Sequence, residues 1–305
     1  MSDSPDKVII LGGKGMLGTD VAAECKSRGM DFEVFDLPEF DMTNERQLLS
    51  VIHPAHTIVN CAAYTNVEKA ETETELAFRV NAEAVGLLAT SAKKSGAWVL
   101  HISTDFVFDG ASDKPYTEKD IPHPINAYGR TKLAGERLLV ENRCRHCIMR
   151  VEWTYGMKGD NFIKKILQKA LTLASAKPAS WRGLDSGGPG EAGQKDMKIV
   201  DDQVGSPTAT TEAAKAVCDL IHKKPTGIYH FASQGYVSRF DVAQFIAEKL
   251  ALDVRLTACK TSDFPSAAAR PLNSKFDCSK IRPLLSGPIK PWQVALEEFL
   301  KQAQS

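Results

Sequence analysis

The chain has 305 residues, 43% apolar and 25% charged, an ordinary composition for a soluble globular protein and enough length for one elaborated α/β domain or two lobes sharing a cleft. Lysine plus arginine balance aspartate plus glutamate at 38 each, so no global charge draws the chain onto nucleic acid or an anionic membrane. Seven scattered cysteines, of which only Cys144 and Cys147 are closely spaced, fit reduced thiols in a cytoplasmic protein better than a disulfide framework or a zinc site; no apolar run approaches the roughly 20 residues that span a bilayer.

After a polar tail, KVIILGGKGMLGTDVAAECKSRG reads as strand, glycine turn and amphipathic helix. Gly12, Gly15 and Gly18 have the GxxGxxG spacing that lets a pyrophosphate approach backbone N–H groups at a helix start. The next strand, DFEVFDL, ends at Asp36, about twenty residues on, where a carboxylate accepts hydrogen bonds from an adenosine ribose. A 2′-phosphate there needs a compensating cation, and Lys14 in the glycine loop is one, so NADPH and NADH both remain open. Asp41, in FDMTNERQLLS, either caps the following helix or approaches the adenine.

A third strand ends at Asn60, and the small residues after it, Ala62, Ala63, Tyr64 and Thr65, leave room for a nicotinamide. LAFRVNAEAVGLLATSAKKSG is a long helix in which Asn81 is structural. AWVLHIS is a fourth strand that delivers Ser103, Thr104 and Asp105 to the same strand ends. Repeated strand and helix units predict an α/β fold with a doubly wound, mostly parallel Rossmann-like sheet and a smaller C-terminal substrate lobe. Tyr128 and Lys132, four apart on one helix face, form an acid–base pair in which the ammonium favours the phenolate.

These segments carry a resemblance. GGKGMLG at 12–18, NCAAYTNVEKAE at 60–71, HISTDFVFDG at 101–110, NAYGRTKLAGE at 126–136, WTYG at 153–156, VDDQVGSPT at 200–208 and RPLNSKFD at 270–277 resemble the dTDP-4-dehydrorhamnose reductase family of extended short-chain dehydrogenases/reductases. The resemblance implies NADPH- or NADH-dependent reduction of the C4 keto group of dTDP-4-dehydro-L-rhamnose. It makes Thr104, Tyr128 and Lys132 the catalytic residues. The expected cofactor contacts are Gly12, Gly15, Met16, Leu17, Gly18, Asp36, Asp41, Met42, Ala62, Ala63 and Tyr64, together with Tyr128 and Lys132. The expected substrate contacts are Thr104, Asp105, Tyr128, Trp153 and Arg270, with Asn273 orienting Arg270. Asp105 has an alternative role as an acceptor of turn amides.

Glu152 departs from the small hydroxyl residue of the family pattern, which leaves the shape and charge of the sugar site open. Residues 175–197, rich in Gly, Pro and Ser, read as an insertion that is a mobile flap, a surface excursion or an oligomer contact; closure of Trp181 and Arg182 over a substrate is one reading, a partly ordered loop the preferred one. Thr208 or Thr210 caps the next helix, and GIYHFA followed by SRFDVAQFIAEKLAL is compatible with the smaller lobe. Residues 1–156 are read as the dinucleotide-binding and catalytic core, and 157–305 as mainly substrate lobe with some elements returning to the core. No ligand spacing identifies a metal site, although Mg²⁺ is compatible with the resemblance, and a homodimer is plausible. The competing functions are reduction of another 4-ketosugar nucleotide and a non-catalytic, cofactor-binding regulatory subunit.

Overall fold

The computed structural model describes residues 7–54, 56–173 and 196–304. Its strands are β1 (Val8–Leu11), β2 (Phe32–Phe35), β3 (Thr57–Asn60), β4 (Trp98–Thr104), β5 (Arg145–Val151), the short β6 (Thr154–Tyr155), β7 (Asp196–Val200), β8 (Val204–Gly205), β9 (Thr208–Ala209), β10 (Gly227–Phe231), β11 (Val237–Ser238) and β12 (Arg255–Cys259). Its α-helices are α1 (Met16–Ser27), α2 (Glu45–Val51), α3 (Thr74–Phe78), α4 (Ala84–Ser95), α5 (Ala127–Asn142), α6 (Phe162–Leu173), α7 (Thr210–Lys223), α8 (Arg239–Lys249) and α9 (Trp292–Gln304).

Six strands make one parallel sheet in the order β10-β5-β4-β3-β1-β2. The chain first steps outward from β1 to β2, then returns to β3 and proceeds the other way. Such a reversal opens a crevice beyond the carboxyl ends of β1 and β3. Alternation along β1 feeds two cores: Val8 and Ile10 pack with Val21, Cys25 and Val217, while Ile9 and Leu11 pack with Leu48, Leu88 and Ile148. Each such buried aliphatic side chain contributes about 1.5–3 kcal/mol.

The segment read as one long helix contains a π-helical turn, Arg79–Glu83, between α3 and α4. It turns Asn81 inward, where the amide accepts from Tyr64 N at 2.8 Å and donates to Tyr64 O at 3.1 Å and Thr131 Oγ1 at 3.0 Å. The structural role expected of Asn81 is the one observed.

A further core, containing Tyr155, Ile163, Leu167, Met197, Val242, Leu296 and Phe299, unites α6, α8 and α9 with the β7–β12 pair. Strand β10 lies outside this lobe. It pairs with β5 along its length, because His230 and Phe231 are buried at the edge of the main sheet. Neither Thr208 nor Thr210 caps α7: Ala209 holds the cap position, Thr208 Oγ1 donates to Ser206 O at 2.9 Å, and Thr210 Oγ1 donates to Asp20 Oδ2 at 2.5 Å. Of the expected insertion, Asp196 and Met197 begin β7, whereas Trp181, Arg182 and the rest lie outside the described residues.

Candidate active site

The crevice is a cleft of about 950 Å³ that runs from the glycine turn to the smaller lobe. At its β1 end Gly12 has φ +73°, and a Cβ there would lie 2.5 Å from the Ala62 backbone. A Cβ on Gly18 would lie 2.2 Å from Gly12 O. Only glycines allow the turn, β3 and the start of α1 to meet this closely. The backbone amides at the start of α1 thus border open space, which suits a pyrophosphate.

Gly12, Gly15, Met16, Leu17, Asp36, Asp41, Met42, Ala62 and Ala63 all line the cleft. Gly18 is buried inside the turn instead. Tyr64 is not part of the lining: its hydroxyl donates to Glu73 Oε2 at 2.6 Å, which turns the ring aside. Asp36 accepts from the Lys14 and Leu37 amides, each at 2.8 Å. The Lys14 ammonium is engaged by Glu39 and the Leu37 carbonyl, so this structure does not present it as a free cation. Asp41 accepts from Thr43 N at 2.9 Å and Oγ1 at 2.8 Å, while Asn44 caps α2.

Thr104, Tyr128 and Lys132 line the middle of the cleft. Asn126 starts α5 by accepting from Gly129 N at 2.8 Å, and its Nδ2 donates to Ala269 O at 2.8 Å. A Cβ on Gly129 would lie 2.1 Å from Phe106 O, so the first turn of α5 sits directly on the loop after β4. That contact brings Tyr128 beside Thr104. Burial pushes the Tyr128 phenol up, the Asp105 carboxylate reinforces this, and Thr104 partly offsets it. Burial lowers Lys132 to about 8, against the opposing influence of Glu136 and Cys61. The Lys132 nitrogen donates to Ile102 O at 2.7 Å and lies 3.3 Å from His101 Nε2. In this structure the tyrosine is therefore held as the protonated phenol rather than drawn toward neutrality by the lysine.

The far wall comes from the second half of the chain. Asp105 is buried and accepts from Thr104 Oγ1 at 3.0 Å and Ser274 Oγ at 2.6 Å. Burial raises its proton affinity, with Arg239 acting in the opposite direction. Trp153 adopts φ +44° two residues beyond the end of β5, and a Cβ on Gly205 would lie 2.7 Å from its ring, so β8 passes directly against the indole. Arg239 lies over Trp153 and Phe162, 4.1 and 4.5 Å from the ring centres, and donates to Gln203 Oε1 at 2.7 Å.

Arg270 reaches the cleft and pairs with Glu68 at 2.5 Å. Asn273 does not orient it, because its amide donates to the Ser112 and Lys114 carbonyls. Arg239 is the cleft residue that the sequence reading missed; a lone arginine one position after a helix cap carries no distinctive spacing. Gln203, in the VDDQVGSPT segment, lines the same cleft.

Glu152 sits behind this wall, fully buried, with neither carboxyl oxygen hydrogen-bonded among the described residues. Burial and the nearby Asp105 raise it well above the ordinary carboxylate range, while Ser206 and the Phe276 backbone pull weakly the other way. Among the described residues no group of three or more His, Cys, Asp or Glu converges on a possible metal position.

The RmlD substrate binding domain family model matches residues 6–183 and 190–305. The chain belongs to this family. It is 34% identical over 314 residues to a dTDP-4-dehydrorhamnose reductase of Aggregatibacter actinomycetemcomitans, covering 98% of this chain and 99% of that one. It is 35% identical over 257 residues to the enzyme of that name from Escherichia coli K12, covering 80% and 79%. Among solved structures, a dTDP-4-dehydrorhamnose reductase from Clostridium acetobutylicum superposes with a TM-score of 0.86 at 32% identity, covering 98% of this chain and 100% of that one. One from Bacillus anthracis in complex with NADP has a TM-score of 0.85 at 33% identity, covering 97% and 99%. Among the described residues no helix is long and apolar enough to cross a membrane.

Proposed function

We propose that this protein is an NAD(P)H-dependent reductase of a nucleotide-linked 4-ketosugar, converting dTDP-4-dehydro-L-rhamnose to dTDP-L-rhamnose. The observation that carries the reading is the shared cleft: Thr104, Tyr128 and Lys132 stand between a glycine turn suited to a dinucleotide and a wall bearing Trp153, Arg239 and Arg270. The residues fit the cofactor. Gly12, Gly15 and the start of α1 would hold its pyrophosphate, Asp36 would receive its adenosine ribose, and Lys132 its nicotinamide ribose. When bound, the reduced nicotinamide supplies a hydride to C4.

Thr104, whose single hydroxyl proton goes to Asp105 in the ligand-free structure, turns it to the C4 carbonyl oxygen when substrate binds and so orients that carbonyl. Tyr128 supplies the proton that converts the developing alkoxide to the hydroxyl. A phenol held in its protonated form is suited to this direction, because it must give up a proton rather than take one. Lys132, when charged, stabilises the resulting phenolate. Trp153 shapes the sugar-side wall by holding Arg239 over its ring, and Arg239 and Arg270 face the diphosphate. In this division of labour residues 1–156 carry cofactor and catalysis, and 157–305 mainly carry the substrate.

Purified protein supplied with dTDP-4-dehydro-L-rhamnose should oxidise NADPH or NADH with equimolar formation of dTDP-L-rhamnose. Tyr128→Phe should lower kcat by about a hundredfold or more while retaining cofactor binding. Cofactor binding without sugar-dependent oxidation in the unmodified protein would instead favour a regulatory subunit. Oxidation confined to a different 4-ketosugar nucleotide would keep the chemistry and change the substrate.

A further inference from the structure

His101, on β4, is a fully buried imidazole whose two ring nitrogens face different side chains. Asn60 Nδ2 lies 3.1 Å from Nδ1, and Lys132 Nζ lies 3.3 Å from Nε2. The Asn60 amide is oriented independently, because its Oδ1 accepts the Ala62 N–H at 3.1 Å. Its Nδ2 is therefore the group aimed at His101, and it can only donate. Nδ1 must then be unprotonated. A neutral imidazole in that state carries its proton on Nε2, pointing at Lys132.

An ammonium has no lone pair with which to receive that proton. An uncharged amine has one, and can still donate one of its own hydrogens to Ile102 O, 2.7 Å away. Protonating His101 instead would set Nδ1–H against the Asn60 amide hydrogens.

We propose that His101, with its tautomer fixed by Asn60, is a positioning residue that acts through Lys132: its Nε2–H stabilises the uncharged lysine in the ligand-free protein and so sets the pH below which Lys132 becomes cationic. The surroundings agree with this assignment. Burial, Lys132 and His146 on β5 keep His101 well below its ordinary range. Burial lowers Lys132 to about 8, although Glu136 in α5 and Cys61 after β3 both favour its charged form. The tautomer argument stands on the hydrogen-bond geometry alone, whereas its kinetic consequence rests on the proposed reductase activity.

Nitrogen-15 NMR of histidine-labelled full-length protein, without ligands, reads the tautomer directly, with His101→Gln assigning the signal by difference. The expected spectrum has a protonated Nε2 and an unprotonated Nδ1 at about pH 9, above the Lys132 titration; an Nδ1–H tautomer or a doubly protonated ring there overturns the proposal. The pH dependence of kcat/KM supplies a second readout. Wild-type activity should fall as pH rises through about 8. His101→Leu, which removes the donor, should move that fall upward by roughly one pH unit. His101→Gln, which keeps a neutral N–H near the same place, should leave it unmoved. A His101→Leu profile superimposable on wild type, with only the rate or melting temperature lowered, makes His101 merely structural and overturns the proposal. Absence of sugar-dependent turnover defeats the reductase reading and leaves the NMR result to decide this one.

Discussion

Arg239 stacks on Trp153 with its guanidinium carbon 4.1 Å from the ring centre, and among the described residues no carboxylate forms an ion pair with it. The charge is thus positioned by an aromatic face and by Gln203, with the Asp105 carboxylate nearby but no direct ion pair, leaving it available to an anionic substrate. Arg239→Met should raise KM for the nucleotide sugar by about ten- to a hundredfold, the equivalent of a charge-assisted hydrogen bond of about 1.5–3 kcal/mol. Cofactor affinity, measured by fluorescence titration, should change less than about twofold.

Lys14 and Glu39 supply a test of cofactor choice. Glu39 occupies the cation that would otherwise compensate a 2′-phosphate beside Asp36. Glu39→Ala should shift the ratio of kcat/KM values toward NADPH over NADH by roughly three- to tenfold, with the shift shrinking in high salt because the pair is exposed.

The buried Glu152 carboxyl makes a prediction about pH and stability. In the unfolded chain it ionises in the ordinary range near 4.5, whereas the folded site holds its proton to higher pH. Its contribution is fully present below the unfolded value and is lost as pH rises through the folded one. Glu152→Gln, which cannot ionise, should therefore gain progressively in melting temperature relative to wild type over the pH range above the unfolded value. A temperature difference that stays constant across that range would show that the buried carboxyl is not the source.

Arg150 and Glu136 form a bidentate pair inside the sheet layer, with contacts of 2.9 and 2.6 Å, and Ser103 also donates to Glu136 at 2.5 Å. Arg150→Met leaves Glu136 buried without its counter-ion, a cost of about 3–5 kcal/mol. Chemical denaturation should show that loss, and the double variant Arg150→Met/Glu136→Leu should recover a substantial part of it.

The features legible in the sequence were those with short periods and local causes. Apolar runs placed β1 through β4, and the glycine spacing located the turn that permits contact with Ala62. The four-residue interval put Tyr128 and Lys132 on one helix face. What escaped depended on partners far away in the chain. Arg239 acquires its place from Trp153 and Gln203, and Lys14 is engaged by Glu39 across the turn. Tyr64 belongs to a segment of small residues suited to a cofactor, yet Glu73 draws its hydroxyl aside. The direction of the Tyr128 perturbation was equally hidden, because spacing conveys the nearness of Lys132 but neither the burial nor the carboxylate of Asp105.

The return of α7 and β10 to the first layer gives the protein an interleaved architecture. Arg28, the C-cap of α1, meets Asp219 in α7 at 2.6 Å, Cys25 lies 3.7 Å from Cys218, and β10 completes the sheet against β5. A fragment ending near residue 156 would expose the apolar side of α1 and leave β5 as a bare edge, so cofactor and substrate functions cannot be separated by cutting the chain once. Exchanging the sugar-facing wall between relatives would instead require at least two splice points, before and after the segment that carries α7 and β10.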